Sequence, residues 1–413
     1  MNFDLIIIGN ELLNGKIQDK NTFFMAKNLY QQGHHLRKVH LIGDNYQDFS
    51  KALIEAQQSV QVVITTGGLG PTKDDLTKEM LASFFNKKIT FNEQAYQQTL
   101  SHYKRHDRKY NKDKIDYHNL PLEFKALPNS IGYAPGISYT VDAKYIFALP
   151  GVPVEFQEML TQAVLPQLKK YKSEKIKHII IKTWKTSEAN IFHKIAPTLW
   201  EQLETFGEVS SLPHLLSVDI GIKLVGSDLE VQQNEEKLVR LIKSSKLNDY
   251  IWHIGPESLE EIIIQKANEK KLSFGFAESC TGGLCASRIT NTSGSSSVFW
   301  GGIISYANSV KVNSLGVMPN TLNSFGAVSA ETALEMANGA KEKLQVDIAI
   351  STTGIAGPGG GSQEKPVGTI GIGFSDKHAN SSEVLNFKGN RELLKEVFSQ
   401  AALLKLLERI LNY

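Results

Sequence analysis

Leu5-Ile6-Ile7-Ile8, closed by Gly9, is a continuous apolar run rather than an alternating one. An alternating strand shows one face to water. A continuous run is covered on both faces, the condition of a parallel strand in an α/β sheet. The pattern repeats outward from there. A helical segment at Thr22–Gln32 stops at Gly33, a strand follows at His35–Ile42, and a second helical stretch covers Tyr46–Ser59. Val62-Val63-Ile64-Thr65-Thr66 then runs into Gly67-Gly68. Strand–helix–strand succession predicts a doubly wound α/β domain. Tyr145–Leu149 reads as a further strand before Pro150-Gly151-Val152-Pro153, and a helix at Val154–Lys170 closes the module near Tyr171.

Residues 172–252 read differently, with strands at Ile179–Trp184 and Leu216–Leu224, a helix at Leu229–Ser244 and few glycines. They predict a small α+β domain without chemistry of its own, in which His214 is structural or solvent-exposed rather than catalytic. Residues 253–413 return to the first rhythm and predict a second α/β domain. A helix at Leu259–Lys270 leads into a strand at Leu272–Ala277. Strands at Val346–Ser351 and Gly368–Gly373 flank a glycine-rich loop, and an amphipathic helix spans Glu392–Leu411. Three domains, 1–171, 172–252 and 253–413, suit a chain of 413 residues, at roughly 100–200 residues per domain.

Lys+Arg number 45 and Asp+Glu 43, a balance that gives no general pull toward nucleic acid or an anionic membrane. Two cysteines, Cys280 and Cys285, exclude a disulfide framework and fit a reducing compartment. Met1-Asn2-Phe3-Asp4 puts an acid where a signal peptide wants bases, and no apolar run approaches the ~18 residues of a membrane span. A cytoplasmic protein, free of membrane and nucleic acid, is expected.

Three segments of the last domain carry chemistry. Ala277-Glu278-Ser279-Cys280-Thr281-Gly282-Gly283-Leu284 follows a buried strand and opens a helix. A hydroxyl there can stand exposed at the carboxyl end of the sheet, with backbone N–H groups near it for an oxyanion or phosphate. Ser279 is thus either a nucleophile or the helix cap. Tyr306 and Lys311, in Phe299-Trp-Gly-Gly-Ile-Ile-Ser-Tyr306-Ala-Asn308-Ser-Val-Lys311, can each act as general base toward a serine hydroxyl. His378 is the one histidine after Ser279, which argues against a Ser-His-Asp arrangement. Thr352-Thr353-Gly354-Ile-Ala-Gly357-Pro-Gly359-Gly360-Gly361-Ser362, followed by Lys365, lets backbone approach an anion closely. It lacks the Gly-Lys-Ser/Thr ending of a phosphate-binding Walker loop. Cys280 is a rival nucleophile, ranked below Ser279 because no histidine lies near it in sequence.

Glu278-Ser-Cys-Thr-Gly-Gly283, Gly301-Gly-x-x-x-Tyr-x-Asn-x-x-Lys311, Leu315-Gly-Val317, Gly326-Ala-Val-Ser329 and Thr353-Gly-Ile-Ala-Gly-Pro-Gly-Gly-Gly361 with Lys365-Pro-Val-Gly368 together resemble the C-terminal domain of the CinA family over residues 258–413. The resemblance implies an amidohydrolase that converts nicotinamide mononucleotide to nicotinate mononucleotide and ammonia. It implies Ser279 as nucleophile, Tyr306 and Lys311 as its activating partners, and no cofactor. The resemblance also implies that Thr281, Gly282, Gly283, Asn308, Thr353, Gly354, Gly357, Gly359, Gly360 and Lys365 bind substrate, with Arg391 at the 5′-phosphate. One departure is Ala330, where relatives carry Glu, with Glu331 adjacent.

In the first domain Gly67-Gly68-Leu-Gly70-Pro-Thr72-Lys-Asp74-Asp75 follows a buried strand. Asp74 and Asp75 could hold a divalent metal or serve the dipole of a helix start. Glu11, in Gly9-Asn10-Glu11, and Asp44 follow the first two strands, where open α/β sheets bind ligands. With Asn129, Ala134-Pro-Gly136 and Leu149-Pro-Gly-Val-Pro-x-Glu155, these segments resemble the molybdopterin-binding fold of full-length CinA proteins. That resemblance implies a nucleotide site of Glu11, Asp44, Gly67, Gly68, Gly70, Thr72, Asp74 and Asp75, with metal-dependent ADP-ribose hydrolysis as an alternative activity, and a homodimer. Asp116-Tyr117-His118 and Trp184-Lys185-Thr186 depart from the family's usual residues at those places. The family name leaves a third reading, a non-catalytic accessory protein of competence or DNA damage.

Overall fold

The computed structural model describes residues 1–168 and 175–413. The expected helix end at Lys170, the boundary at Tyr171 and residues 172–174 lie outside that range. The chain divides into two compact units, Met1–His178 with Lys223–Glu235, and Ile179–Ile222 with Glu236–Tyr413.

The first unit holds strands β1 (Asn2–Ile8), β2 (His35–Ile42), β3 (Val62–Thr66), β4 (Ile89–Phe91), β5 (Asn119–Pro121), β6 (Lys125–Leu127), β7 (Gly136–Val141) and β8 (Lys144–Leu149). β4 and β5 pair as a separate ribbon. The others form one sheet in the order β2-β1-β3-β8-β7-β6. β2, β1, β3 and β8 run parallel, as the continuous apolar runs require. β7 and β6 add an antiparallel hairpin edge that the sequence pattern did not reveal. β1 is buried on both faces. Ile6 and Ile8 join one core with Phe49 and Leu53, while Leu5 and Ile7 join the other with Met25 and Phe156. The strand ends are tied together: Thr66 donates its hydroxyl to the Pro150 carbonyl at 2.9 Å, and Asn21 Nδ2 donates to both Thr66 Oγ1 and the Gly151 carbonyl. Gly67, at φ 104°, turns the chain out of β3 so close to β1 that a Cβ would lie 2.2 Å from the Ile8 carbonyl oxygen. The helix after β8 begins at Pro153 and is interrupted by a π-turn at Leu160–Val164.

Strands β9 (Lys175–Thr183), β10 (Glu208–His214), β11 (Ser217–Gly226) and β12 (Ile251–Ile254) make a four-stranded sheet in the order β10-β11-β9-β12.

The last α/β domain is built on β13 (Phe274–Glu278), β14 (Phe299–Ile304), β15 (Ile348–Gly354), β16 (Thr369–Ser375) and β17 (Asn380–Asn386), in the order β14-β13-β15-β16-β17. β14, β13 and β15 are parallel, and β16 and β17 return antiparallel. Because side chains alternate along a strand, Phe274 and Phe276 share one face of β13. There they pack with helices Leu259–Lys270 and Arg391–Leu411. Each such buried phenylalanine contributes about 1.5–3 kcal/mol. Ala277 on the other face leaves room for Leu315, Met336 and Ala340. The expected strand Val346–Ser351 is displaced: β15 runs on through Thr352, Thr353 and Gly354, because Gly354 still pairs with Ile370 of β16. Those residues belong to the sheet rather than to the loop. The polar edge strand β17 is not among the expected strands, since Asn380-Ser-Ser-Glu lacks an apolar pattern.

Helix Ala330–Leu344 crosses the end of helix Asn308–Leu315 at Gly339, where a Cβ would lie 1.8 Å from the Leu315 carbonyl oxygen. Gly→Ala inside a helix ordinarily gains up to ~1 kcal/mol. Here Gly339→Ala should instead cost about 1–3 kcal/mol, the usual range for overpacking. Thermal unfolding will test this, and an unchanged or higher melting temperature would refute the contact.

Candidate active site

β13 ends on Glu278, whose carboxylate is buried and turned back along the chain. It accepts from the backbone N–H groups of Gly283 (2.9 Å), Cys285 (3.1 Å) and Ala286 (2.9 Å). Helix Leu284–Thr290 starts after Gly283 without any cap from the N-cap side chain, so Glu278 satisfies the donors that a helix start leaves open. Ser279 is therefore not the helix cap. Its N–H donates to the Thr352 carbonyl of β15 at 2.9 Å, and its carbonyl accepts from Gly282 N–H. The Glu278 bonds brace a tight turn over 279–283 with the Ser279 hydroxyl at the carboxyl end of the sheet.

Lys311 meets that hydroxyl. Its helix, Asn308–Leu315, follows β14, and the side chain runs back to the strand end with 1% exposure. Nζ lies 2.9 Å from Ser279 Oγ, 2.7 Å from the Ser305 carbonyl oxygen and 3.2 Å from that of Tyr306. A charged ammonium would donate three bonds. A neutral amine donates two, which the carbonyls take, and turns its lone pair to the serine O–H. Burial pushes the Lys311 pKa down, toward the neutral form a base requires. Cys280, beside the serine, is pushed the other way: burial raises its thiol to about 12, which keeps it protonated.

A cavity of roughly 170 Å³ opens over this pair, walled by Ser279, Cys280, Tyr306, Asn308, Lys311, Ala327, Val328, Thr353, Gly354, Ala356 and Arg391. Thr353 Oγ1 donates to the Ala327 carbonyl at 2.6 Å and closes one side. Arg391, the first residue of the last helix, donates to the Gly357 carbonyl at 2.7 Å and to the Tyr306 hydroxyl at 3.3 Å. Tyr306 thus gives Lys311 its carbonyl and places its ring, 63% exposed, at the rim with Arg391.

Seven of the expected residues wall the cavity: Ser279, Tyr306, Lys311, Asn308, Thr353, Gly354 and Arg391. The others do not. Thr281 is fully buried and shares a 2.8 Å hydrogen bond with Thr352. Gly282 and Gly283 shape the turn beneath the serine, and Gly357 holds Arg391. Gly359 and Gly360 lie exposed on the loop. Lys365 is anchored, since its Nζ donates to the Phe325 carbonyl at 2.5 Å. Sequence reasoning missed the part of Glu278, which was visible as an acid immediately before a glycine-rich helix start. It also missed Ala327, Val328 and Ala356, which carry no chemical signal.

The first domain has its own cleft, of roughly 560 Å³, at the carboxyl ends of β1, β3 and β8. Glu11, Asp44, Gly67, Gly68, Gly70, Asp74 and Asp75 line it, as do Asp19, Asn21, Tyr117, Tyr133 and Glu155. Thr72 is not on that wall, because its N–H and hydroxyl both donate to Asp75. Asp44 accepts from Asn10 N–H at 3.1 Å, and Glu155 from Asn129 at 2.7 Å. Asp74 is exposed, and the neighbouring Thr72 hydroxyl, though bonded to Asp75, lowers its pKa. Among the described residues no three His, Cys, Asp or Glu side chains gather closely enough to hold a metal ion, and no helix is long and apolar enough to cross a membrane.

The same two-part architecture is found in known proteins. Residues 4–170 match the model of the probable molybdopterin binding domain, and residues 256–410 match that of the CinA C-terminal domain. The chain is thus a fusion of a molybdopterin-binding-like α/β domain with a CinA-type α/β domain. It belongs to the CinA family: it is 36% identical over 417 residues to the CinA-like protein of Chloroherpeton thalassium, covering 99% of each chain. A second CinA-like protein, from Kosmotoga olearia, is 35% identical over 98% of this chain and 97% of its own. The crystal structure of competence/damage inducible protein CihA from Agrobacterium tumefaciens is 38% identical over 37% of this chain and 96% of that one, with a TM-score of 0.36.

The buried lysine gives stability a pH signature. Its folded-state pKa lies below the ordinary 10.5. Between those two values the unfolded chain binds a proton that the folded chain does not, so stability rises with pH across that window. Lys311→Met lacks this contribution. The stability of wild type relative to the variant, followed by urea unfolding, should therefore increase from neutral to alkaline pH. A difference that stays flat would show that Lys311 is buried as the cation.

Proposed function

We propose that the C-terminal domain is a serine amidase whose substrate is nicotinamide mononucleotide. One observation carries this reading: the 2.9 Å approach of a buried lysine amine to the Ser279 hydroxyl, with two carbonyl oxygens occupying the amine's own hydrogens. Ser279 Oγ attacks the carboxamide carbon as Lys311 takes the hydroxyl proton. The Asn308 side chain, on the same cavity wall, is the donor at hand for the oxygen that becomes negative. Lys311 returns the proton to the leaving nitrogen, and ammonia departs from an acyl-serine. Water then adds to the acyl carbon, giving its proton to Lys311, which passes it to Ser279 Oγ as the carboxylic acid leaves.

The cavity is small beside the 300–1,000 Å³ of a site that encloses a whole drug-sized ligand. It suits the pyridine carboxamide, with ribose and phosphate reaching outward. Arg391 stands at that rim and has five N–H donors in a fork that suits phosphate. This favours the nucleotide over the free amide.

The test is ammonia release from nicotinamide mononucleotide by the intact chain. Ser279→Ala should abolish turnover, and Lys311→Met should lower kcat by about 10²–10⁴, the usual contribution of a general base. Wild-type kcat should climb with pH as Lys311 loses its proton and level off above its lowered pKa. A folded wild type that releases no ammonia, or an active Ser279→Ala, would overturn the proposal.

A second activity is favoured by the cleft of the first domain, whose size and acid-lined wall suit a nucleoside diphosphate held through a divalent cation. Magnesium needs only one or two carboxylates when substrate phosphates supply further oxygens. Asp74 and Asp75 are the pair to supply them, with ADP-ribose as the substrate to assay. Asp74→Asn should suppress magnesium-dependent cleavage of the diphosphate linkage and leave ammonia release intact.

A further inference from the structure

The cleft of the first domain carries more negative charge than a divalent cation and a diphosphate require. Six carboxylates line it, Glu11, Asp19, Asp44, Asp74, Asp75 and Glu155, against one basic side chain, Lys20. One or two carboxylates are enough for magnesium when phosphates supply further oxygens, and Asp74 with Asp75 fill that part. Glu155 and three acids on the segments that follow β1 and β2 are left over. Those acids are fixed in place. Asp19 accepts from the N–H groups of Asn21 (2.8 Å) and Thr22 (3.2 Å), and Asp44 from that of Asn10 (3.1 Å). Glu11 folds back over Gly9 at the end of β1, where a Cβ would lie 2.7 Å from its Oε1. On the same wall burial pushes the Tyr117 phenol up to about 12, and Asp75 and Glu155 add to the shift. The wall thus resists a further negative charge.

A diphosphate with no cationic group of its own meets this surplus as repulsion, whereas a ligand that brings a fixed positive charge is drawn to it. The substrate read for the last domain has such a charge in its pyridinium ring. Hydrolysis of a diphosphate-linked dinucleotide is also a reaction that yields a mononucleotide. We propose, resting on both activities put forward above, that the first-domain cleft cleaves the diphosphate of a dinucleotide bearing a nicotinamide pyridinium ring, and so supplies the substrate of the last domain. The oxygen of water bonds to one phosphorus, and the bond from that phosphorus to the bridging oxygen breaks. The bridging oxygen leaves with the other phosphate. Of the two protons of water, one goes to each new phosphate or on to solvent. The products are nicotinamide mononucleotide and a second nucleoside monophosphate, with the ring charge unchanged.

Oxidised and reduced nicotinamide adenine dinucleotide isolate the decisive feature, because the reduced ring is neutral and the rest of the molecule is the same. Titration calorimetry of the intact chain without metal should show the oxidised form binding about fivefold more tightly, the effect of one exposed ion pair. The double variant Glu11→Gln, Glu155→Gln should bring that ratio toward one, and glutamine at 155 can still accept from Asn129. With magnesium present, the oxidised form should yield adenosine monophosphate and nicotinamide mononucleotide, then ammonia. In Ser279→Ala the nicotinamide mononucleotide should accumulate in place of ammonia. Equal binding of the two forms, or a ratio that the double variant leaves unaltered, would overturn the proposal. So would an oxidised dinucleotide that stays intact while ADP-ribose and nicotinamide mononucleotide are both turned over, and that result would leave the two activities standing. A wild type that cleaves no diphosphate, ADP-ribose included, would sink the reading of the cleft and this supply route with it.

Discussion

An amine buried among carbonyl oxygens, with a hydroxyl as its third partner, is the constraint on which the C-terminal domain turns. Taking a lysine out of water is costly unless it loses its charge or finds partners. Lys311 finds them at the end of β14, in the carbonyls of Ser305 and Tyr306, and at the end of β13, in Ser279. Those two strands are neighbours in register, so the geometry of the pair is set by a sheet ladder rather than by loops. The helix that delivers Lys311 is seated in turn against Gly339, where no side chain fits.

The two α/β domains place their clefts by the same rule, at the carboxyl ends of parallel strands. They differ in how the strand ends are secured. In the first domain neutral side chains, Thr66 and Asn21, tie β3 to the turn after β8. In the last, a buried carboxylate, Glu278, gathers three N–H groups and braces the turn beneath Ser279. An ionised acceptor makes stronger hydrogen bonds than a neutral one, which suits a turn that must hold one hydroxyl in one direction.

Much of this was legible in the chain. The apolar runs at Leu5–Ile8 and Val62–Thr66 are β-strands at those places because a strand covered on both faces has little freedom of composition. Ser279 could be picked out because it directly follows a strand, Lys311 because it sits on the short helix after the next one, and the shortage of histidines narrowed the choice of base. Less legible was whatever depends on partners distant in sequence. Thr352–Gly354 reads as the start of a glycine loop and is strand only because β16 pairs with it. Lys365 reads as a phosphate ligand, yet its ammonium is taken by the Phe325 carbonyl forty residues earlier. Tyr306 reads as a base, but its phenol turns outward to Arg391.

Arg391 opens the last helix of the domain, and that helix supplies Leu394, Phe398, Leu403, Leu407 and Ile410 to the core beneath β13. A ribosome delivers the chain from the other end. Ser279 and Lys311 leave the exit tunnel while one side of their sheet still lacks its cover and the rim arginine has yet to be made. The amine then stays hydrated and protonated, and the serine beside it is an ordinary alcohol. The dry pairing of Lys311 with Ser279 is thus a late product of folding, complete only once that last helix has covered the sheet.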